Sequence, residues 1–195
     1  MPPLSPNQAT RRHPSHADRE DGELAAAARA DASAFAELYH RYVERVYRFL
    51  YHRLPSDEDA EDLTAQVFLE ALELLDRYRE QGSFAAWLFT IARRKAIAHY
   101  RKQRPMAPLA EARLSKLDHP QDDPLEEIAA ADSQARLAQL LRQLREDERE
   151  VLALRFGATL TYREIGSILG KSEGAVKMTI HRLLDRLRAR WESET

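Results

Sequence analysis

The sequence predicts an all-α protein: two small helical domains joined by a flexible linker, the second containing a helix-turn-helix. Three observations carry that expectation. Apolar residues recur with a 3.6-residue period, alternating strand patterns are missing, and all nine prolines fall in three places. Those places are Pro2 to Pro14, Pro55, and Pro105 to Pro124. Proline costs about 3 kcal/mol in a helix interior, so long helices are expected in the proline-free blocks 56–104 and 125–195.

The elements follow in chain order. Residues 1–21, with four prolines among Ser, Asn, Gln and Arg, read as a disordered leader. Phe35, Leu38, Tyr39, Tyr42, Val43, Val46, Phe49, Leu50 and Leu54 keep the helical period, and Pro55 ends that helix. Ser56 caps the next one, with Asp57, Glu58 and Asp59 against the positive end of its dipole. Its buried stripe is Leu63, Val67, Ala71, Leu72 and Leu75. A third helix starts near Ser83 and buries Phe84, Trp87, Leu88 and Ile91. These helices make a front domain over 22–104.

Residues 105–132 hold four prolines and seven acids against two basic residues, Arg113 and Lys116. Ordering a backbone costs about 1–2 kcal/mol per residue, and this stretch has little apolar surface to offset it. It reads as a mobile linker between independent domains, the second spanning 133–195.

In the second domain, Thr161 and Glu164 have the spacing of a capping box that starts a helix. Ile165, Ile168 and Leu169 form its apolar face, and small Gly166 stands where another helix can approach. Gly170 suits a left-handed turn, and Ser172 caps a further helix. That helix buries Val176, Ile180, Leu183, Leu184 and Leu187 and exposes Lys177, Thr179, His181, Arg182, Arg186 and Arg188. Caps, small residues and apolar positions agree on a helix-turn-helix rather than a plain helical hairpin with a basic face. Lys171 to Arg190 holds six Lys or Arg against Glu173 and Asp185, a net of +4 before His181, as a helix presented to a major groove requires.

Composition narrows the function. Apolar residues make up 44% and charged residues 32%, and the net charge is −2, so nucleic-acid contact must come from local clusters. The absence of cysteine removes disulfides, thiolate metal sites and cysteine nucleophiles. No stretch approaches the roughly 18 apolar residues of a membrane span, which with the cysteine-free composition predicts a cytoplasmic protein without membrane insertion. No phosphate loop, GxGxxG or HExxH is present, so no catalytic residue, metal site or cofactor is expected.

Charge is segregated along the front domain. Leu54 to Asp76 contains no Lys or Arg, and Ser56 to Asp62 carries five acids in seven residues. Arg93 to Arg104 is the reverse: Arg93, Arg94, Lys95, Arg101, Lys102 and Arg104 with no acid, and His99 and Tyr100 between them. Tyr78, Phe84 and Trp87 lie just upstream. Cations that follow phosphates beside rings that stack on bases are what single-stranded DNA binding needs. Helix capping also explains an acidic first turn and a basic last turn, and Trp87 fits core packing as well as base stacking.

These residues resemble a known family. Asp59-Ala-Glu-Asp-Leu-Thr-Ala-Gln-Val-Phe-Leu-Glu-Ala-Leu is similar to the polymerase-binding helix of region 2 in extracytoplasmic-function (ECF) sigma factors of bacterial RNA polymerase. Phe84-Ala-Ala-Trp-Leu-Phe-Thr-Ile-Ala-Arg-Arg resembles that family's promoter-melting helix. Leu144-Arg-Glu-Asp-Glu-Arg-Glu-Val-Leu-Ala-Leu-Arg-Phe with the helix-turn-helix resembles region 4.

The resemblance implies a promoter-reading subunit whose partners are core RNA polymerase, through its beta and beta-prime subunits, promoter DNA, and an anti-sigma factor. It implies core-polymerase contacts at Asp62, Leu63, Gln66, Phe68 and Glu70. It places the −10 element and melted strand on Tyr78, Arg79, Gly82, Ser83, Phe84, Trp87, Arg93, Arg94, Lys95, His99, Tyr100 and Arg101. It places the −35 element on Tyr162, Arg163, Ser172, Glu173, Lys177, Thr179, His181 and Arg182. The chain has Ala65-Gln66 where the family usually has Gln-Glu. A helix-turn-helix repressor or activator with a helical sensing domain is the alternative; it accounts for residues 133–190 and leaves the acidic and basic helices before them unexplained.

Overall fold

The computed structural model describes residues 16–79, 83–103 and 136–193. No strand is present among the described residues.

The front half is a bundle of four helices: α1 (His16–Ala27), α2 (Ala32–Tyr51), α3 (Asp57–Leu74) and α4 (Phe84–Gln103). A single 3-10 turn, Leu75–Arg77, follows α3. Asp31 caps α2 by accepting the Ser33 amide at 2.8 Å. The side-chain and backbone bonds from Ser33 hold the Asp31 carboxyl below its ordinary pKa. Ser56 caps α3 as expected, accepting the Asp59 amide at 3.0 Å. Leu38, Val46, Phe49 and Leu50 of α2 meet Val67 and Ala71 of α3 and Leu88, Phe89 and Ala92 of α4 in the core. Phe49 and Phe89 stack edge to face with centroids 5.7 Å apart.

Three expectations need correction. Helix α1 begins at His16, inside the stretch assigned to a leader. It is tied down by Asp21, whose buried carboxylate accepts from the Tyr42 hydroxyl and, at 3.0 Å, from Arg41. Burial, then the bond to Asp21, pushes the Tyr42 phenol pKa far up. Leu72 is 48% exposed and Leu184 39% exposed, because the buried faces of their helices are narrower than the apolar stripes in the sequence.

In the back half, residues 136–142 form α5, followed by α6 (Glu146–Leu152), a π-helical turn (Ala153–Gly157), α7 (Tyr162–Leu169) and α8 (Glu173–Ser193). The Thr161–Glu164 capping box is present: Thr161 accepts the Glu164 amide at 3.2 Å, and the Glu164 carboxylate accepts the Thr161 amide at 2.8 Å. Gly170 closes α7 with φ +65°, a conformation open to glycine at little cost. A Cβ on Gly166 would lie 2.6 Å from the Lys171 carbonyl oxygen. Gly166→Ala is therefore expected to cost about 1–3 kcal/mol through overpacking against backbone. Denaturant melts check this, and wild-type stability would show that the turn gives way freely.

The two halves are not separate bodies in the structure. Leu141, Leu144, Leu152 and Leu183 form a small core of their own. Val151, Leu154, Leu160, Ile165 and Ile180 instead join one continuous core with the front helices. A short back domain has too little interior to cover both faces of α6 and α7, so α7 packs against α4 and the π-turn against α2. The linker, 105–132, lies outside the described residues.

Candidate nucleic-acid interface

Helix α3 presents an acidic face. Asp57, Glu58, Glu61, Asp62, Gln66 and Glu73 are exposed along it. Leu69 and Leu72 stand beside them at 63% and 48% exposure, an apolar component the sequence reading missed. Leu63 and Phe68 are buried instead, at 6% and 5% exposure, with Tyr39 edge to face on Phe68 at 4.7 Å. They build the face from beneath and do not form its surface. Glu70 is half-buried and occupied within the bundle, where Lys95 donates to its carboxylate at 2.9 Å and Arg94 also pairs with it.

Helix α4 carries the basic and aromatic residues. Tyr78, Phe84 and Trp87 form one aromatic cluster with centroid separations of 5.1 to 5.6 Å. Tyr78 and Phe84 are buried in it, and the Arg29 guanidinium donates to the Tyr78 carbonyl at 2.6 Å. Trp87 is half-buried on its edge, so core packing and partial access coexist. Arg79 and Arg101 are exposed, and Gly82 lies outside the described residues. His99 sits 3.5 Å from Asp59, and the half-buried Tyr100 has its phenol pKa raised by burial. Two polar groups of this surface are held by the back half. Arg93 donates to both oxygens of Glu150 at 3.0 and 3.2 Å, and the Ser83 hydroxyl donates to Glu164 at 2.6 Å.

The helix-turn-helix exposes the first turns of α8. Ser172 caps it by accepting the Ala175 amide at 3.2 Å, and Glu173, Lys177, His181 and Arg182 are exposed. Met178, absent from the sequence-based site, stands among them at 51% exposure. Thr179 is half-buried and turned back, its hydroxyl donating to the Ala175 carbonyl at 2.8 Å. Tyr162 and Arg163 at the start of α7 are half-buried, and Tyr162 lies 4.8 Å under the Arg155 guanidinium. Further along α8, Arg186 pairs with Glu148 at 2.5 Å and Arg190 bonds Gln143 at 2.8 Å. Despite a desolvation cost, the bonds from Arg186 and the Arg145 amide hold the Glu148 carboxyl below its ordinary pKa.

Among the described residues, no helix is long and apolar enough to cross a membrane and no His, Cys, Asp or Glu cluster could hold a metal ion. A helix-turn-helix with an exposed basic second helix, packed on a bundle with an acidic and a basic face, defines a DNA-binding protein of transcription. Residues 38–105 match the family model for sigma-70 region 2, and residues 140–189 match that for sigma-70 region 4.

The chain is 38% identical over 173 residues to the ECF RNA polymerase sigma factor ShbA of Streptomyces griseus, covering 84% of this chain and 90% of ShbA. It is 33% identical over 158 residues to the ECF RNA polymerase sigma factor BldN of Streptomyces coelicolor, covering 80% of this chain and 60% of BldN. The chain thus spans less than two thirds of BldN. The structure of CnrH in complex with the cytosolic domain of CnrY shares the fold, with a TM-score of 0.63 and 24% identity over 92% of this chain and 99% of that one. The chain belongs to the sigma-70 family and is an extracytoplasmic-function sigma factor. Such factors bind core RNA polymerase, recognise the −35 and −10 promoter elements and promote DNA melting.

Proposed function

We propose a division of labour among the three surfaces, in a cytoplasmic factor that performs no chemistry of its own. The exposed side of α3, with Asp62, Gln66, Leu69 and Leu72, docks on core polymerase. Helix α4 holds the melted −10 strand through Arg93, Arg94, Arg101 and the edge of Trp87, with Lys95, His99 and Tyr100 shaping the surface. Helix α8 enters the major groove of the −35 element with Lys177, Met178, His181 and Arg182. Residues 22–104 and 133–195 are the two functional units, and an anti-sigma factor is the further partner. RpoE of Bartonella quintana, for instance, is known in complex with the anti-sigma factor NepR.

The observation that carries the reading is the exposure of Lys177, Met178, His181 and Arg182 on one stretch of α8 behind a fully capped turn. Run-off transcription with core polymerase on a genomic promoter library tests it. Promoter-specific transcripts that require both proteins are expected. Tight duplex binding by the isolated chain, with no transcript, would favour the repressor alternative.

Polymerase docking has its own prediction. Exposed single ion pairs contribute under about 1 kcal/mol, so Asp62→Lys combined with Leu69→Ala is needed. Co-elution with core enzyme should fall several-fold while helicity stays unchanged. Undiminished co-elution would place the docking surface elsewhere.

A further inference from the structure

We infer that Glu150 acts as an intramolecular stand-in for a DNA phosphate, occupying Arg93 and so competing with the strand for region 2 whenever region 4 is closed upon it. The inference rests on the reading of α4 as the strand-binding helix.

The chemistry of the contact is specific. Arg93 meets Glu150 through two parallel bonds at 3.0 and 3.2 Å, the bidentate geometry by which a guanidinium also grips a phosphate. A strand arriving at α4 must displace that carboxylate. The same closure occupies Ser83 with Glu164 at 2.6 Å, so two groups assigned to the strand are answered by acids of region 4.

Further contacts show that the closure is built and not incidental. Arg53 has only 4% of its side chain exposed, and its partners across the junction are Glu146 at 2.6 Å and Glu150 at 3.7 Å. A guanidinium buried that deeply is costly without acids beside it, so opening must hydrate Arg53 as well as free Arg93. Arg45 donates to the Ala158 carbonyl at 2.9 Å. A Cβ on Gly157 would stand 3.0 Å from the His52 ring, so the π-turn seats closely on the end of α2. Burial, and next the nearby Arg48, holds the His52 pKa below its ordinary value.

The apolar part of the junction favours closure, but the buried Arg53 has nitrogens, Nε and Nη1, without a hydrogen-bond partner. Unsatisfied buried donors oppose closure. Opposed contributions of this kind make a junction that a stronger ligand for α4 can open. The −35 face of α8 is exposed in the closed arrangement, so the competition is selective for strand capture.

The chain has no cysteine, so Glu61→Cys and Arg188→Cys can carry a spin-label pair on exposed positions of α3 and α8. Pulsed EPR should give one narrow distance distribution in the otherwise wild-type chain. Glu150→Gln and, separately, Arg45→Met should add a population at longer distance. In the same proteins, Glu150→Gln should raise affinity for a fluorescent single-stranded oligonucleotide about tenfold, without polymerase. Arg45→Met leaves α4 and Glu150 intact and serves if Glu150→Gln loses helicity.

Unchanged distances in both variants would overturn the latch, whatever α4 binds. Longer distances with no gain in strand affinity would overturn the competition and, with it, the assignment of Arg93 to the strand.

Discussion

Arg182→Ala is expected to lower transcription from the factor's own promoter by about 5- to 150-fold, the equivalent of about 1–3 kcal/mol for a bidentate base contact. Arg182 is exposed on α8 one turn beyond Lys177 and Met178, where the first turns of a recognition helix meet base edges. A promoter with a mismatched, already open −10 region separates this role from melting. On that template Arg93→Ala with Arg94→Ala should recover much of its activity, because strand separation no longer has to be driven. Arg182→Ala should stay impaired, since reading the −35 duplex is unaffected by a bubble downstream. Equal recovery of both variants would refute the assignment of the two tasks to α8 and α4.

Leu154→Ala should be strongly destabilising, at about 2–5 kcal/mol for loss of a fully buried leucine. Total stabilities of domains this size are about 5–15 kcal/mol, so the loss is a large share. Leu154 is 0% exposed and lies in the core that joins the π-turn to the front helices. The effect should therefore reach both halves: chemical denaturation should show one transition displaced as a unit in the full chain. A back half that melts earlier while the front bundle keeps its wild-type midpoint would show that the shared core contributes little to coupling.

Much of this architecture is legible in the residues alone, and the reasons differ by element. Helix α3 and the helix-turn-helix are local constructions: Ser56 accepts the Asp59 amide, and Thr161 and Glu164 satisfy each other's backbone, each across three residues. Gly170 announces its turn because few other residues accept φ +65°. What the sequence hides is which side of an apolar stripe another element will cover. Leu72 and Leu184 carry the same period as their buried neighbours, and only the packing of the bundle leaves them outside.

The candidate site divides in the same way. The exposure of Lys177, His181 and Arg182 follows from their position opposite Val176, Ile180 and Leu183 on a single helix. The occupation of Arg93 by Glu150, 57 residues away along the chain, leaves no trace in any local pattern. Nothing in the local sequence sets Glu150 or Arg53 apart from the other acids and cations near them. Their burial is a property of two halves meeting, which periodicity does not encode.

The separation of acid on α3 from base on α8 has a consequence beyond the contacts each makes. With a net charge of only −2, the molecule has little overall attraction or repulsion for anything. Yet its front half exposes Asp57, Glu58, Glu61 and Asp62, while its back half exposes Lys177, Arg182, Arg186 and Arg188. Its charge is segregated locally more than it is net, and segregated charge feels torque before it feels pull. On the proposed division of labour, the factor would be turned as it nears a polymerase loaded on DNA, acidic flank toward polymerase and basic flank toward duplex. That alignment acts only within a screening length of about 8 Å at physiological ionic strength. Added salt should thus slow productive encounter well before it dissolves the finished complex.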